Sequence, residues 1–246
     1  TILAPRARRL GNTALAEVQY APSPRSSVTA TTAYGNLHFM DVGFLDSSFW
    51  KFMTGYNYAV TRLDTLAVSY SQTRFYFALD QRNVVNHGFL TTYGRKLTGR
   101  LSLQLSAGPL FSRIAQGPGS SKTRVLLDTY DSLRYRLRRG HVEASFSRFT
   151  NTGSGVLTGA ESNVVTFSLG HQFSRKAFGS LSFGHAYNQS LAPESALTPR
   201  SKFKTLYGGF NVSRELGERT SIYFVYHVQR QDSNVALCLG SRCGEV

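Results

Sequence analysis

Residues able to do nucleophilic, acid–base or metal chemistry are scattered along this sequence of 246 residues. A hydrolase on a barrel could be built from His141 with Ser145 and Ser147, or from His185 with Asn188. A triad needs three converging groups, and serine is abundant at polar positions throughout, so hydrated surface positions explain these residues better. The sequence has no nucleophile elbow and no Walker-type phosphate loop. No catalytic residue is predicted, and the chain is not expected to be an enzyme.

Metal binding is also not indicated by the spacing of possible ligands. No His-x-x-x-His or His-Glu pair of the kind that binds zinc occurs among the six histidines, which are His38, His87, His141, His171, His185 and His227. Cys238 and Cys243 lie close together near the end of the chain. Outside the cytoplasm this spacing predicts a small loop closed by a disulfide, with two unpaired thiols as the alternative. We therefore expect no metal and no cofactor.

Composition favours a β-rich chain and argues against a nucleic-acid partner. Aromatic residues make up 13% and charged residues 17% of the sequence, with 22 glycines, a balance typical of strands and turns. No apolar run approaches the length of about 18 residues that a membrane-spanning helix needs. The net charge of +14 could suit nucleic acid, but the basic residues form no stripe and no known binding motif, so no nucleic acid is expected.

A repeated hairpin is the main pattern in the sequence. Six short turn segments each contain an arginine, and the series runs Arg25, Arg62, Arg95, Arg138, Arg175 and Arg214. Successive members are about 33 to 43 residues apart, which fits two long strands, one tight turn and one longer loop. A propeller blade has a similar period, but it needs three turns per repeat, for which these strands leave no room.

Alternation within the predicted strands indicates one apolar and one polar face. Leu101, Leu103 and Leu105 alternate with polar residues, and this period of two is typical of a strand. The same pattern holds over residues 66–70, 142–146, 165–169 and 222–228. Predicted strands over 48–61 and 66–77 are longer than those usual in a soluble sandwich, and they suit a tilted crossing of a bilayer. The apolar face is therefore predicted to meet lipid.

The sequence thus predicts an all-β fold, a transmembrane antiparallel up-and-down β-barrel forming one domain over residues 1–246 in the bacterial outer membrane, with about twelve strands in this chain. The short turns would face the periplasm, and the long links would be external. Those links lie near residues 41–47, 79–86, 113–123, 151–160, 191–201 and from 232 onward. Both chain ends would then be external, and no signal peptide is visible. This predicts a chain truncated at both ends, from a barrel of 14 or more strands.

A barrel of that width can hold water or a folded-in loop, so polar residues on its inner face are candidates for lining a pore. Alternation predicts that these are Glu17, Gln19, Lys51, Asn57, Gln104, Glu143, Gln172, His227 and Gln229. The positive balance suggests a preference for anions, although basic turns at the periplasmic rim more readily meet lipid phosphates and solvent.

Aromatic residues near the strand ends are expected to form girdles at the two membrane interfaces. These are Phe49, Trp50, Phe52, Phe75, Tyr76, Phe77, Tyr93, Phe111, Tyr135, Phe173 and Tyr207. Aromatic packing within an ordinary β-core is the alternative.

Several stretches resemble porin-like outer-membrane β-barrel proteins common in Acidobacteria and related Gram-negative bacteria. The clearest runs from Phe146 through Ser-Arg-Phe-Thr-Asn-Thr-Gly-Ser-Gly-Val-Leu-Thr-Gly-Ala-Glu-Ser-Asn-Val to Val165, followed by His171-Gln-Phe-Ser-Arg and by the segment from Gly179 to Leu191. Ser213-Arg-Glu-Leu-Gly and the Cys238 to Cys243 loop also match. The resemblance covers roughly residues 13–246 and is a pattern of hairpins. It implies a fold and a location, and no functional residue is carried over from it.

Three functions are compatible with such a barrel. The favoured hypothesis is a porin-like channel for passive flux of solutes or for export of a polymer such as exopolysaccharide, with outer-membrane lipid, small solutes or polysaccharide, and a periplasmic export component as partners. The alternatives are a structural or adhesive barrel that binds a partner through its external loops, and a barrel hydrolase.

Overall fold

The computed structural model describes residues 8–40, 46–77, 83–115, 121–151, 160–190, 201–217, 220–233, 237–239 and 242–244. Among these residues no helix is long and apolar enough to span a membrane. Long strands make up most of the described chain: β1 (Arg9–Ser23), β2 (Ser26–Phe39), β3 (Ser47–Ala59), β4 (Asp64–Phe77), β5 (Asn83–Lys96), β6 (Leu101–Ala115), β7 (Ser121–Leu137), β8 (Gly140–Asn151), β9 (Ala160–Ser174), β10 (Ala177–Ser190), β11 (Lys202–Glu215) and β12 (Ser221–Ser233).

These strands form one antiparallel sheet in which each strand pairs with the next along the chain, from β1 to β12. The predicted up-and-down architecture is confirmed. Within the described residues β1 and β12 have no contact with each other, so the sheet is open between these two strands. Two short strands, β13 (Leu237–Leu239) and β14 (Arg242–Gly244), form a separate hairpin.

The short turns all lie at one end of the sheet, which we call the turn end. Thr61 and Thr98 shape two of them in the same way. The Thr61 hydroxyl accepts hydrogen bonds from the backbone N–H groups of Leu63 and Asp64 at 3.0 and 2.9 Å, and the Thr98 hydroxyl accepts two more from the residues that follow it. Local acceptors of this kind hold a chain reversal without help from the rest of the fold.

The opposite strand ends form the other end of the sheet, which we call the loop end, and there two strands extend into segments that the sequence predicts as links. β5 already begins at Asn83 and β6 continues to Ala115. The reason is that Val84 and Ile114 are buried side chains that pack together with neighbouring aromatic rings. Burial of these apolar groups extends the ladder into segments whose polar and glycine-rich composition suggested a loop.

Register divides the sheet into two faces, because directly paired residues of neighbouring strands lie on the same side. Apart from glycines, all the buried residues lie on the same face, for example Phe75, Leu110 and Phe203. We call this the inner face, since mutual shielding of side chains is what the concave side of a curved sheet produces. Most of the large exposed apolar side chains lie on the other, outer face.

Gly108 and Pro109 interrupt the pairing of β6 with β5. The register has no partners for Phe89 and Leu90 of β5 at this point, and proline lacks the N–H that a ladder bond requires. A Cβ atom at Gly108 would lie 1.7 Å from the backbone oxygen of Phe89. Glycine is therefore required here by close approach of the two backbones.

Candidate functional site: the inner face

The polar residues predicted to line a pore all lie on the inner face. Pairing carries the same side from strand to strand: Glu17 opposes Thr31, Gln104 opposes Gly94, and Glu143 opposes Arg134. The same propagation places Gln19, Lys51, Asn57, Gln172, His227 and Gln229 on this side. The leucines at 101, 103 and 105 and the other apolar series lie on the outer face, as alternation predicts. Whether the polar set lines a conducting pore stays a prediction.

Rows of directly paired residues run across the inner face and are largely polar near the turn end. One row contains Lys96, Ser102, Arg134, Glu143, Ser168, Ser182, Gly209 and His227. The next contains Gly94, Gln104, Ser132, Ser145, Thr166, Gly184, Tyr207 and Gln229. Some neighbours bond across strands, as where the Thr166 hydroxyl lies 2.8 Å from the Tyr207 hydroxyl. Such a surface is suited to water and to polar solutes.

Basic side chains surround three adjoining cavities at the turn end. One cavity, of about 470 Å³, is lined by Lys96, Arg100, Arg134, Arg136 and His141 among others, with no carboxylate in its lining. A second, of about 610 Å³, shares Lys96 and Arg134 and includes Glu143. A third, of about 600 Å³, shares Arg136 and adds further bases of the next two turns. Positive charge therefore prevails along this inner edge.

An apolar patch occupies the inner face at the loop end of β3–β7. Phe75, Phe77, Val84 and Ile114 are buried there, and Phe49 and Leu126 pack against them. The rings of Phe49 and Phe75 lie 6.5 Å apart and are tilted at 54°, a separation within the range of aromatic pairs. We call these six residues the apolar patch. Its existence shows that the inner face is not polar throughout.

The loop end of β9–β12 has a different inner surface. Asn188 and Ser162 are buried and directly bonded, the Ser162 hydroxyl donating to the Asn188 side-chain oxygen at 2.5 Å. We call this region the polar patch; its buried polar members are Ser162, Asn188, Ser190, Thr205 and Gln231. The Asn188 amide nitrogen and the Thr205 hydroxyl have no hydrogen-bond partner among the described residues. Polar atoms buried in this way are usually paired, often by ordered water.

Aromatic girdles require rings on the outer face, and only some of the predicted rings lie there. Register places Trp50, Phe52, Tyr76, Tyr93, Phe111, Tyr135 and Phe173 on the outer face. The prediction is wrong for Phe49, Phe75, Phe77 and Tyr207, which lie on the inner face. Adjacent residues of a strand point to opposite sides, so a run such as 75–77 cannot lie wholly in one girdle.

A polar network marks the outer face beside the second turn. The Tyr93 hydroxyl donates to the Asp64 carboxylate at 2.8 Å, and Arg95 lies 3.7 Å from the same oxygen. The Thr61 hydroxyl donates to the other carboxylate oxygen at 2.7 Å. A tyrosine and an arginine combined in this way suit the headgroup level of a membrane.

The groups considered for catalysis do not assemble. His185 lies on the outer face and Asn188 on the inner face, so they cannot act together. His141, Ser145 and Ser147 share the inner face, but four residues of strand separate His141 from Ser145 by about 13 Å. Within the described part of the chain, no three His, Cys, Asp or Glu side chains converge as metal ligands.

The cysteine pair lies on the separate hairpin. The backbone register makes Cys238 and Cys243 direct partners across β13 and β14. Directly opposed residues of an antiparallel pair have a Cα separation compatible with a disulfide. The side chains of both cysteines lie outside the described residues, so the disulfide stays a prediction.

Comparison with known proteins identifies the fold and no family. No protein-family model matches the sequence, and no curated protein matches it. Among solved structures, the siderophore receptor PiuA from Acinetobacter baumannii is similar, with a TM-score of 0.57, 8% identity, and coverage of 96% of this chain and 49% of that one. The ferric-catecholate import receptor Fiu of E. coli K12 gives a TM-score of 0.54, 8% identity, and 92% and 48% coverage.

A third similar structure is that of a copper transporter. The copper transporter OprC has a TM-score of 0.52, 10% identity, and coverage of 89% of this chain and 48% of that chain. This chain spans about half the length of each of these proteins. The likeness shows the fold alone, that of an antiparallel β-barrel wall. An apolar outer face of this kind suits a barrel surrounded by lipid.

Proposed function

We propose that this chain forms part of the wall of an outer-membrane transport channel. The observation that carries the proposal is the set of polar rows that crosses the inner face from β5 to β12, opposite an apolar outer face. Because the directly paired positions of these rows carry either a polar side chain, such as Gln104 and Ser132, or a glycine, a solute would meet a hydrated surface with no apolar side chain in it. The similar solved structures are receptors and transporters, which supports the same class of function.

A closed channel requires more wall than this sheet supplies. β1 and β12 do not pair with each other in the described residues, and every residue of β1 is exposed. We propose that further strands complete a barrel of 14 or more, since an unpaired strand edge in lipid would leave backbone hydrogen-bonding groups unsatisfied. In that barrel the turn end faces the periplasm and the loop end faces outward.

The proposed cargo is a polar solute. Small solutes fit the polar rows, and export of a polymer such as exopolysaccharide remains compatible with the same surface. The apolar patch at the loop end favours a narrowed entrance over a wide water-filled opening, because hydrophobic linings resist wetting. The resemblance to porin-like proteins of Acidobacteria agrees with this class of function and stays a prediction.

Conductance of the full-length protein in planar bilayers tests the proposal. We expect stepwise currents, and we expect Gln104→Trp to reduce the step size because a large ring would enter the lumen. The adjacent Leu105→Trp variant is the matched control: its ring points to lipid, so the step size should be retained. A sealed bilayer, or equal effects of the two substitutions, would refute the channel and favour a structural or adhesive barrel.

A further inference from the structure

Several basic side chains at the turn end lie on strands and point to the inner face. Lys96, Arg134 and Arg136 lie on the inner face, since Lys96 pairs with Ser102, Ser102 with Arg134, and Arg136 with His141. Arg95, the neighbour of Lys96, lies on the outer face and pairs with Asp64. Bases that point into the barrel cannot meet the phosphates of the surrounding lipid, so a different partner is needed for their charge.

The surroundings of these bases hold little negative charge. The cavity of about 470 Å³ has Lys96, Arg100, Arg134 and Arg136 in its lining and no carboxylate. Glu143 is the nearby acid, and its oxygen lies 3.9 Å from the Arg134 side-chain nitrogen, a loose and partly exposed pair that neutralises little. Among the described residues Lys96 and Arg136 have no ion pair. The cavity is therefore a concentrated positive site.

Arginine spacing identifies the chemistry that the site fits. Arg134 and Arg136 are two residues apart on one face of β7, so their Cα atoms are about 7 Å apart. Each guanidinium can hold one oxyanion through two parallel hydrogen bonds. Ser102 lies between Lys96 and Arg134 in the paired row, and its hydroxyl donates to the Arg134 backbone carbonyl at 3.4 Å, so the bases themselves supply the donors for an anion. A ligand with two or more phosphate or carboxylate groups matches this arrangement.

We propose that the cavity formed by Lys96, Arg100, Arg134 and Arg136 is a binding site for polyanionic solutes at the periplasmic mouth of the lumen. The proposal rests on the transport function proposed above and names the substrate class that the channel selects. Because Lys96, Arg134 and Arg136 are fixed on strands and directed inward, with Arg100 in the adjoining turn, these bases attract anions from the lumen and from the periplasm. Increasing salt should weaken the binding through screening.

Calorimetric titration of the full-length protein with tripolyphosphate tests the site directly. In nanodiscs of phosphatidylcholine, the Arg134→Gln/Arg136→Gln variant should bind about tenfold or more weakly, because two charge-assisted contacts are removed. The Arg25→Gln/Arg230→Gln variant removes the same charge outside the three cavities and should keep its affinity within about twofold. Equal losses in both variants would overturn the site.

Lipid phosphate is the other source of the same chemistry, and a second arm separates it. Adding phosphatidylglycerol to the nanodiscs should leave tripolyphosphate affinity unchanged if the site faces the lumen. Loss of affinity that depends on Arg134 and Arg136 would show instead that these bases bind headgroups, and would overturn the proposal.

A conductance arm distinguishes this proposal from the proposed function. If the wild-type channel conducts and prefers anions, the reversal potential of the Arg134→Gln/Arg136→Gln variant in a salt gradient should shift toward the equilibrium potential of the cation. A sealed bilayer with intact, arginine-dependent tripolyphosphate binding would reject the channel and keep the anion site. A conducting channel in which the variant keeps the wild-type tripolyphosphate affinity and ion selectivity would reject the anion site and keep the channel.

Discussion

The two halves of the inner face differ most at the loop end. In β3–β7 the apolar patch joins aromatic rings and aliphatic side chains that cover one another. In β9–β12 the polar patch buries hydroxyl and amide groups, and its apolar cluster consists of Ala160 and Phe203 alone among the described residues. Both halves are parts of one sheet with one register pattern. The difference shows that side-chain chemistry, and not the strand framework, sets the polarity of the inner face at the loop end.

The largest effect is expected from opening a cavity in the apolar patch. Phe75 is 5% exposed and packs among other large apolar side chains, so Phe75→Ala should lower the free energy of unfolding by about 3–5 kcal/mol. Phe203→Ala should cost less, because Ala160 is the one other member of its buried apolar cluster in the described part of the chain. Urea unfolding of the full-length protein in vesicles measures both. A larger loss for Phe203→Ala would mean that the two patches do not differ in packing.

A smaller loss is expected when the central bond of the polar patch is removed. Asn188 is 3% exposed and accepts from Ser162, while its amide nitrogen has no partner among the described residues. Asn188→Ala should therefore cost about 1–2 kcal/mol, since one hydrogen bond is lost and one unpaired donor is removed. The same unfolding measurement applies. A loss equal to that of Phe75→Ala would show a fully satisfied polar network.

A gain of about 1 kcal/mol is expected from removing a buried hydroxyl that lacks a partner. Thr205 is 1% exposed, and its hydroxyl has no bond among the described residues. Thr205→Val keeps the shape and removes the unpaired group. Ser112→Ala, beside the apolar patch, is the comparison variant because the Ser112 hydroxyl is also buried and unpaired. Destabilisation by Thr205→Val alone would indicate that ordered water fills the polar patch.

The smallest effect concerns Asp46, the residue that precedes β3. Asp46 accepts a hydrogen bond from the Phe39 backbone N–H at 2.7 Å, and its other oxygen lies 2.5 Å from the His38 ring nitrogen. The Phe39 hydrogen bond chiefly, with His38, lowers the pKa of Asp46 below its ordinary value of 3.8, against the opposing effect of burial. The folded state therefore binds this proton less readily than the unfolded chain does.

The resulting pH dependence has a definite sign. The stabilisation by Asp46 should be fully present above pH 3.8, the ordinary carboxyl pKa, and should disappear as pH falls through the lowered pKa of the folded state. Unfolding of wild type and Asp46→Asn should thus differ at neutral pH and converge in acid. A difference that grows on acidification would contradict this assignment.

The division into two faces could be predicted from sequence because strand periodicity is two and paired residues share a side. Gln104 and Leu105 were assigned correctly on that basis alone. The apolar patch could not be predicted, because Phe75 and Tyr76 both suit an interface girdle and only the register shows which ring points inward. The basic cavity could not be predicted either. The sequence shows that bases lie near the turns, but the inward direction of Lys96 and the outward direction of Arg95 depend on pairing between strands.

The extension of β5 and β6 was missed for a related reason. Asn83 and Asn86 are typical of loops, and neither residue reveals the burial of Val84 between them. That burial depends on rings contributed by β4 and on Ile114 of β6, contacts between segments distant in sequence.

Spin-label accessibility along β6 tests the central assignment of the two faces most directly. Single cysteines at positions 101–106 of the full-length protein in lipid vesicles, with Cys238 and Cys243 replaced by serine, would carry the label. Labels at 102 and 104 should collide with a water-soluble nickel chelate, and labels at 101, 103 and 105 with oxygen dissolved in the bilayer; at 106, where Ser106 is 2% exposed, collisions with both should be low. Oxygen collisions that fail to alternate, or that peak at the even positions, would contradict the assignment of a lipid-facing outer surface and a hydrated inner one.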